Sequence, residues 1–87
     1  MSAEKTLYGH TGTVNALVCT NDFLISGSYD TTVRVWDLDN FQLKETLHGH
    51  TGGVYALEMV QGYLASASVD KSIRLWDLQV NFVYKNF

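Results

Sequence analysis

The sequence predicts an all-β protein that consists of two four-stranded antiparallel sheets. Three observations support this prediction: the chain repeats itself at an interval of 40 residues, each repeat is a series of short apolar runs separated by turn residues, and no window has the period of a helix. The runs lie about ten residues apart, which is the spacing of an antiparallel meander rather than of strands joined by crossover helices.

The repeat needs no gaps. The tetrapeptide Gly-His-Thr-Gly at residues 9–12 recurs at residues 49–52, and Trp-Asp-Leu at residues 36–38 recurs at residues 76–78. We therefore divide the chain into two repeats, each followed by a segment expected to form an outer strand: residues 7–40 with 41–47, and residues 47–80 with 81–87.

Four strands are expected in each repeat. In the first repeat the apolar or alternating runs span residues 14–19, 23–28, 32–36 and 41–47. Turn residues separate them at residues 21–22, 29–31 and 37–40, and the second repeat has turn signals at residues 61–62 and 69–72. Residues 5–7 offer a further outer strand, which would compete with residues 81–87 for one closing position.

Some strands are apolar on both faces, as at Leu24-Ile25 and residues 33–36. A sheet with two apolar faces has to be covered on both sides, and radial stacking of sheets achieves this. The two sheets are therefore expected to stack against each other and against further sheets.

Composition and charge exclude several classes of protein. Six basic residues against nine acidic ones, scattered along the chain, provide no stripe that would bind nucleic acid. No apolar run reaches the roughly 18 residues of a membrane span. The single cysteine, Cys19, forms no intrachain disulfide, and the N-terminus has no signal-peptide pattern, so we expect a cytoplasmic or nuclear protein.

A Gly-His start, a Trp-Asp end and the 40-residue interval resemble the WD40 repeat, over residues 7–78. The resemblance implies that each repeat is one blade of a β-propeller. Propellers have roughly 4–8 blades, so two blades are expected to be part of a propeller, either as a fragment or as a unit completed by oligomerisation. The short hairpin between the first two strands is similar to that of F-box/WD-type ubiquitin-ligase adaptors.

The resemblance also implies a structural network of four hydrogen-bonded side chains in each repeat: His10, Ser26, Asp30 and Trp36, then His50, Ser66, Asp70 and Trp76. An indole only donates, a carboxylate only accepts, and serine and neutral histidine do both. A chain from Trp to Ser to His to Asp therefore satisfies every group. Ser28 and Ser68 lie on the same strand face, but residues 26 and 66 are preferred.

Serine, histidine and aspartate also form catalytic triads. We interpret Ser26, His10 and Asp30 as structural, because the set occurs twice at the repeat interval and is joined to a tryptophan, whereas a catalytic site occurs once. His48 and His50 lack a nearby cysteine or carboxylate to complete a metal site. We expect no catalytic residue, no metal and no cofactor.

Other polar and small residues are given structural roles. Cys19 is expected to be an inert buried thiol. Arg34 and Arg74 alternate with apolar strand residues, which favours an ion pair between blades or a solvated edge. The glycines that superficially resemble a phosphate-binding loop lack its lysine and helix and are interpreted as turn glycines: Gly12, Gly52 and Gly53.

In the WD40 family, partners dock on the narrow top face of the propeller. The contacting positions are the start of the first strand, two residues before it, and the residue before the turn aspartate. Carried over to this chain, they are Thr13, Asn15, Tyr29, Gly53, Tyr55 and Val69. Exposed aromatic residues contribute much interface energy, but packing of the tyrosines on an adjacent loop is an equally good interpretation.

These features favour a scaffold or adaptor that presents its top face to other proteins or peptides, with no nucleic-acid or membrane partner. Two blades leave two open faces, which favour association with missing blades of a longer chain or with further copies as a homo-oligomer. The alternatives are a propeller assembled from several chains that binds a small ligand such as a sugar, and a hydrolase. Both tryptophans fall at network positions, which counts against stacking on a sugar.

Overall fold

A computed structural model of the chain describes residues 5–78 in full and residues 82–86 as backbone. Within these residues two antiparallel sheets form, each with its strands in sequence order. The first sheet contains β1 (Val14–Cys19), β2 (Phe23–Ser28), β3 (Val33–Asp37) and β4 (Leu43–Leu47); the second contains β5 (Val54–Val60), β6 (Tyr63–Ser68), β7 (Ile73–Asp77) and β8 (Phe82–Asn86). The prediction of an all-β antiparallel fold is confirmed. The described residues include no helix that could span a membrane.

The outer strands differ from the expectation at the N-terminus. Residues 5–7 were expected to form a strand and do not. The physical reason is that β4 already pairs with β3 and β8 already pairs with β7, so that the outer edge of each sheet is filled. At the other end of the repeats, residues 79–81 and residue 87 lie outside the described residues.

Alternation along the strands gives each sheet two faces, which we call front and rear. The front face of the first sheet carries Leu17, Leu24, Ser26 and Trp36, and that of the second carries the residues 40 positions later: Leu57, Leu64, Ser66 and Trp76. The rear face of the first sheet packs on the front face of the second. The core buried there consists of Ile25, Val33, Val35, Leu47, Val54, Leu64, Trp76 and Leu78.

Gly27 allows the two sheets to approach closely. A Cβ atom at this position would lie 2.7 Å from Cγ1 of Val54, which is closer than non-bonded carbon atoms can come. The glycine therefore belongs to the packing of the core, and a larger residue there would push the sheets apart.

Within the described residues, no second sheet covers the front face of the first sheet or the rear face of the second. Leu17 is 63% exposed, whereas its counterpart Leu57 is partly buried against the core. Cys19 is also exposed, so the prediction of a buried thiol is wrong. It pairs with Leu24 on the open front face, whereas Met59, its counterpart, packs against the core.

Candidate protein-binding face

Each sheet contains a chain of hydrogen-bonded side chains that leads from its front face to the β2–β3 or β6–β7 turn. In the first sheet Trp36 Nε1 donates to Ser26 Oγ at 2.9 Å. His10 Nε2 lies 2.7 Å from the same hydroxyl, and His10 Nδ1 lies 2.8 Å from Asp30 Oδ2. Because the carboxylate can only accept, Nδ1 carries the proton and Nε2 accepts from the serine hydroxyl.

The second sheet repeats this geometry. Trp76 Nε1 donates to Ser66 Oγ at 2.8 Å, His50 Nε2 lies 2.8 Å from that hydroxyl, and His50 Nδ1 lies 2.9 Å from Asp70 Oδ2. Ser66 and His50 are buried. The structure thus brings together both sets of four residues that the sequence singles out.

Asp30 receives hydrogen bonds from the turn as well as from the histidine. The hydroxyl and the amide of Thr32 donate to Oδ1 at 2.5 and 2.9 Å, and the amide of Thr11 donates to Oδ2 at 2.9 Å. Burial raises the pKa of Asp30, but the bonds from Thr32, His10 and Thr11 outweigh burial and hold the pKa well below its usual value. Asp30 is therefore a carboxylate at neutral pH.

Asp70 is held in the same way. The hydroxyl of Ser72 lowers the pKa of Asp70 most; burial opposes it, and bonds from His50 and from the amides of Thr51 and Ser72 lower the pKa further. The hydroxyls of Thr32 and Ser72 were missed from the sequence. The available signal was a hydroxyl residue two positions after each turn aspartate, a spacing at which side chains bond within a turn.

The neighbouring serines take a different part. Ser28 Oγ and Ser68 Oγ accept from the amides of Asp30 and Asp70, both at 3.0 Å. They bind the turns, whereas the serines two positions earlier bind the tryptophans. Ser26 and Ser66 are buried, and each accepts from a tryptophan and donates to a histidine, so neither hydroxyl is presented to solvent as an accessible nucleophile. Among the described residues, no group of three His, Cys, Asp or Glu side chains is arranged around a metal position.

The fixed turns carry the predicted binding residues. Tyr29 directly precedes Asp30, and its amide donates to the Thr13 carbonyl at 2.8 Å. The Tyr29 ring lies over Gly53, where a Cβ atom would be 3.0 Å from Tyr29 Cδ1. In the second sheet, the amide of Val69 donates to the Gly53 carbonyl at 2.9 Å. Thr13, Tyr29, Gly53 and Val69 thus form a continuous line across both sheets.

The remaining two predicted residues lie beside this line. Asn15 Nδ2 donates to the carbonyl of Val54 at 3.3 Å and so connects the two sheets, while Tyr55 follows Val54 in the chain. Tyr29 is 69% exposed and Tyr55 is 57% exposed. Thr13, Asn15 and Val69 are exposed as well, whereas Gly53 is buried and forms the floor beneath Tyr29. We call the five exposed residues, Thr13, Asn15, Tyr29, Tyr55 and Val69, the top face.

Comparison with known proteins decides the family. The family described as "WD domain, G-beta repeat" matches residues 1–37 and again residues 41–77. The chain belongs to the WD40 repeat family. WD40 repeats generally mediate protein–protein interactions, and proteins that contain them generally act as scaffolds rather than enzymes.

Two curated relatives of this WD40 chain match over 32 residues each. WD repeat-containing protein pop1 of Schizosaccharomyces pombe is 50% identical over 37% of this chain and 4% of its own length. Cell division control protein 4 of Candida albicans is 56% identical over 37% of this chain and 5% of its own length. The match therefore spans only a small part of either relative.

A solved structure extends the comparison to nearly the whole WD40 chain. The computationally designed protein Ika4 superimposes with a TM-score of 0.80 at 28% sequence identity. The alignment covers 93% of this chain and 52% of the designed one. The packing of two consecutive sheets seen here thus recurs in a protein about twice as long.

The arginines of the two WD40 repeats contact their own repeat. Arg74 Nη2 donates to the Gly49 carbonyl at 3.0 Å, so this side chain supports the Gly-His segment instead of reaching the next sheet. A Cβ atom at Gly49 would lie 2.8 Å from Arg74 Nη1, and one at Gly9 would lie 3.0 Å from Arg34 Nη1. The glycine before each network histidine therefore makes room for the guanidinium.

Proposed function

We propose that this WD40 chain is a scaffold or adaptor module that binds a protein or peptide segment along its top face. The observation that carries the proposal is the pair of exposed tyrosines, Tyr29 and Tyr55, on backbone that is fixed by hydrogen bonds. Aromatic side chains on rigid backbone lose little entropy on binding and are frequent anchors of interfaces. The chain Trp–Ser–His–Asp supports this arrangement by holding the turn that presents Tyr29.

An extended or helical segment of a protein fits this surface better than a small molecule does. The five top-face residues come from both sheets and are all exposed, while small-ligand sites are concave and enclose the ligand. Trp36 and Trp76, the rings that would stack on a sugar, are 5% and 1% exposed. We therefore favour protein binding over sugar binding.

The proposed function includes a location in the cell and the completion of the propeller by further blades. We place the module in the cytoplasm or nucleus, which an exposed free thiol at Cys19 supports because such thiols persist in reducing compartments. The open faces of the two sheets support completion of a propeller by further blades, which would add their own residues to the top face.

The test is a selection of peptides on the immobilised chain from a displayed library, followed by affinity measurements on variants. Tyr29→Ala and Tyr55→Ala are each expected to weaken binding of the selected peptides by about tenfold or more, the loss typical of an interface anchor. Phe41→Ala is the matched control, because Phe41 is exposed on the β3–β4 turn at the opposite end of the strands. Equal affinity for both tyrosine variants and the parent would refute the top face as the binding site.

A further inference from the structure

The two open faces of the chain are copies of the two faces that meet in its core. The front face of the first sheet corresponds to the front face of the second, which is buried, and the rear face of the second sheet corresponds to the rear face of the first. A head-to-tail complex of two copies would therefore place the open front face on the open rear face, in the same register as the core.

A difference in sequence between the two repeats prevents two copies from packing in this register. In such a complex Val14 would occupy the place of Val54, and Ala67 would occupy the place of Gly27. The Gly27 position has no room for a Cβ atom, which would lie 2.7 Å from Val54 Cγ1 and 3.3 Å from its Cβ. Ala67 carries that atom on the open rear face.

A second substitution adds an electrostatic obstacle. Val18 packs against the core from the rear face of the first sheet. Its counterpart in the second repeat is Glu58, which is exposed on the open rear face. In the register of the core, the carboxylate would be buried against the apolar front face of the second copy, and burying an unpaired charge is strongly unfavourable.

A third substitution changes the shape of the open rear face. Ile25 fills the centre of the core, but Ala65 stands at the equivalent position of the second sheet. The open rear face has a depression of about 260 Å³ where this smaller side chain lies, and its lining includes Glu58, Ala65, Ala67 and Ile73. A neighbour that covers this face has to fill the depression, and a second copy in the register of the core brings no extra volume to do so.

We propose that Ala67 and Glu58 exclude a second copy of this chain from the rear face of the second sheet, and that this face accepts a different WD40-type blade. That blade has a small side chain where this chain has Val14, a bulkier apolar side chain over Ala65, and a basic side chain that pairs with Glu58. The choice of neighbouring blade at this face is independent of what the top face binds.

The proposal is tested by measuring the mass of the full chain by light scattering after size-exclusion chromatography. The parent is expected to elute at the mass of one chain, 9.8 kDa. Glu58→Val combined with Ala67→Gly gives the open rear face the residues that the core has at these two positions, Val18 and Gly27, and is expected to at least double the mass. Leu17→Glu, on the exposed front face, is expected to reverse this association.

A second pair of variants leaves the rear face unchanged. Val14→Ala removes the atom that would meet Ala67, and Cys19→Lys places a base at the counterpart of Met59, which packs at the edge of the core. Both residues are exposed, so we expect the fold to be retained. The combined variant is expected to associate, and Glu58→Ala is expected to weaken this association.

Two results would overturn the proposal. One is a parent chain that already forms oligomers which Leu17→Glu dissociates, because the rear face would then accept a second copy. The other is a mass of 9.8 kDa for both combined variants, because Ala67 and Glu58 would then not be what prevents association.

Discussion

Trp76 donates its indole N–H to Ser66 Oγ at 2.8 Å beneath the neighbouring sheet. The equivalent bond from Trp36 to Ser26 is 2.9 Å long but lies beneath a face that no sheet covers. The two repeats thus contain the same bond in two environments. The unfavourable free energy of losing a donor depends on whether water can replace it, so the two bonds are expected to contribute differently to stability.

Trp76→Phe is expected to lower the free energy of unfolding by about 1–3 kcal/mol, because Ser66 loses its donor where water does not reach. Trp36→Phe removes the same atoms but leaves Ser26 next to an open depression, so we expect a smaller loss. Urea denaturation followed by circular dichroism measures both. Coincident midpoints for the parent and Trp76→Phe would show that the bond does not contribute to stability.

The energetic contribution of the hydrogen bond between Trp76 and Ser66 can be separated from the effect of the lost ring volume. Ser66→Ala alone and together with Trp76→Phe completes a double-mutant cycle. If the hydrogen bond is responsible for the lost stability, the double variant is expected to lose less free energy of unfolding than the sum of the losses in Ser66→Ala and Trp76→Phe. Full additivity would assign the whole loss to packing.

The turn carboxylates predict how stability depends on pH. The pKa values of Asp30 and Asp70 are lowered in the folded chain, so between the folded and unfolded values the unfolded chain binds more protons. Their contribution is complete above the unfolded pKa of about 3.9 and is lost as the pH falls through the folded value. The free energy of unfolding is therefore expected to decrease steeply below about pH 4.

Asp70→Asn is expected to reduce this acid slope, since an amide has no proton to take up in this range. Asp39→Asn, at an exposed aspartate, is the matched control for the loss of one carboxylate. Unfolding curves recorded from pH 7 to acid conditions give both slopes. An acid slope that is the same in Asp70→Asn and in the parent would contradict a role of this carboxylate.

The part of the fold that could be predicted from the sequence is the part determined within one repeat. Strand runs and turns recur at one interval, and the resemblance to the WD40 repeat supplies the four side chains of the network, whose order is consistent with their hydrogen-bonding chemistry. Exposure could not be predicted in this way, because it depends on which sheet covers a face. Cys19 and Met59 occupy equivalent positions and differ in burial for this reason.

The top-face residues also combine features that could be predicted within one repeat with features that depend on contact between the repeats. Their positions followed from the resemblance, whereas the contact between Tyr29 and Gly53 joins two repeats and has no signature within either one. The depression at Ala65 also arises between repeats, from a change of side-chain volume that becomes meaningful only once the stacking of the sheets is known.

Gly27→Ala tests the close approach of the sheets. The added Cβ atom would lie 2.7 Å from Val54 Cγ1, so we expect a loss of about 1–3 kcal/mol in the free energy of unfolding from overpacking. Val54→Ala is expected to restore part of this loss by removing the atom that is hit, and thermal unfolding of the single and double variants measures the rescue. A Gly27→Ala chain as stable as the parent would mean that the sheets separate without loss of free energy.

Thr31 adopts a φ of 78°, and its counterpart Lys71 a φ of 73°, in the turns that carry Tyr29 and Val69. This left-handed conformation is strained for most residues by roughly 1–2 kcal/mol, and most of all for a β-branched one, whereas asparagine tolerates it. Thr31→Asn is therefore expected to raise the free energy of unfolding by up to about 1 kcal/mol. Lys71→Asn is expected to give a smaller gain, because lysine is not branched at Cβ. Chemical denaturation measures both, and a destabilised Thr31→Asn chain would show that the threonine side chain makes a contact that offsets the strain.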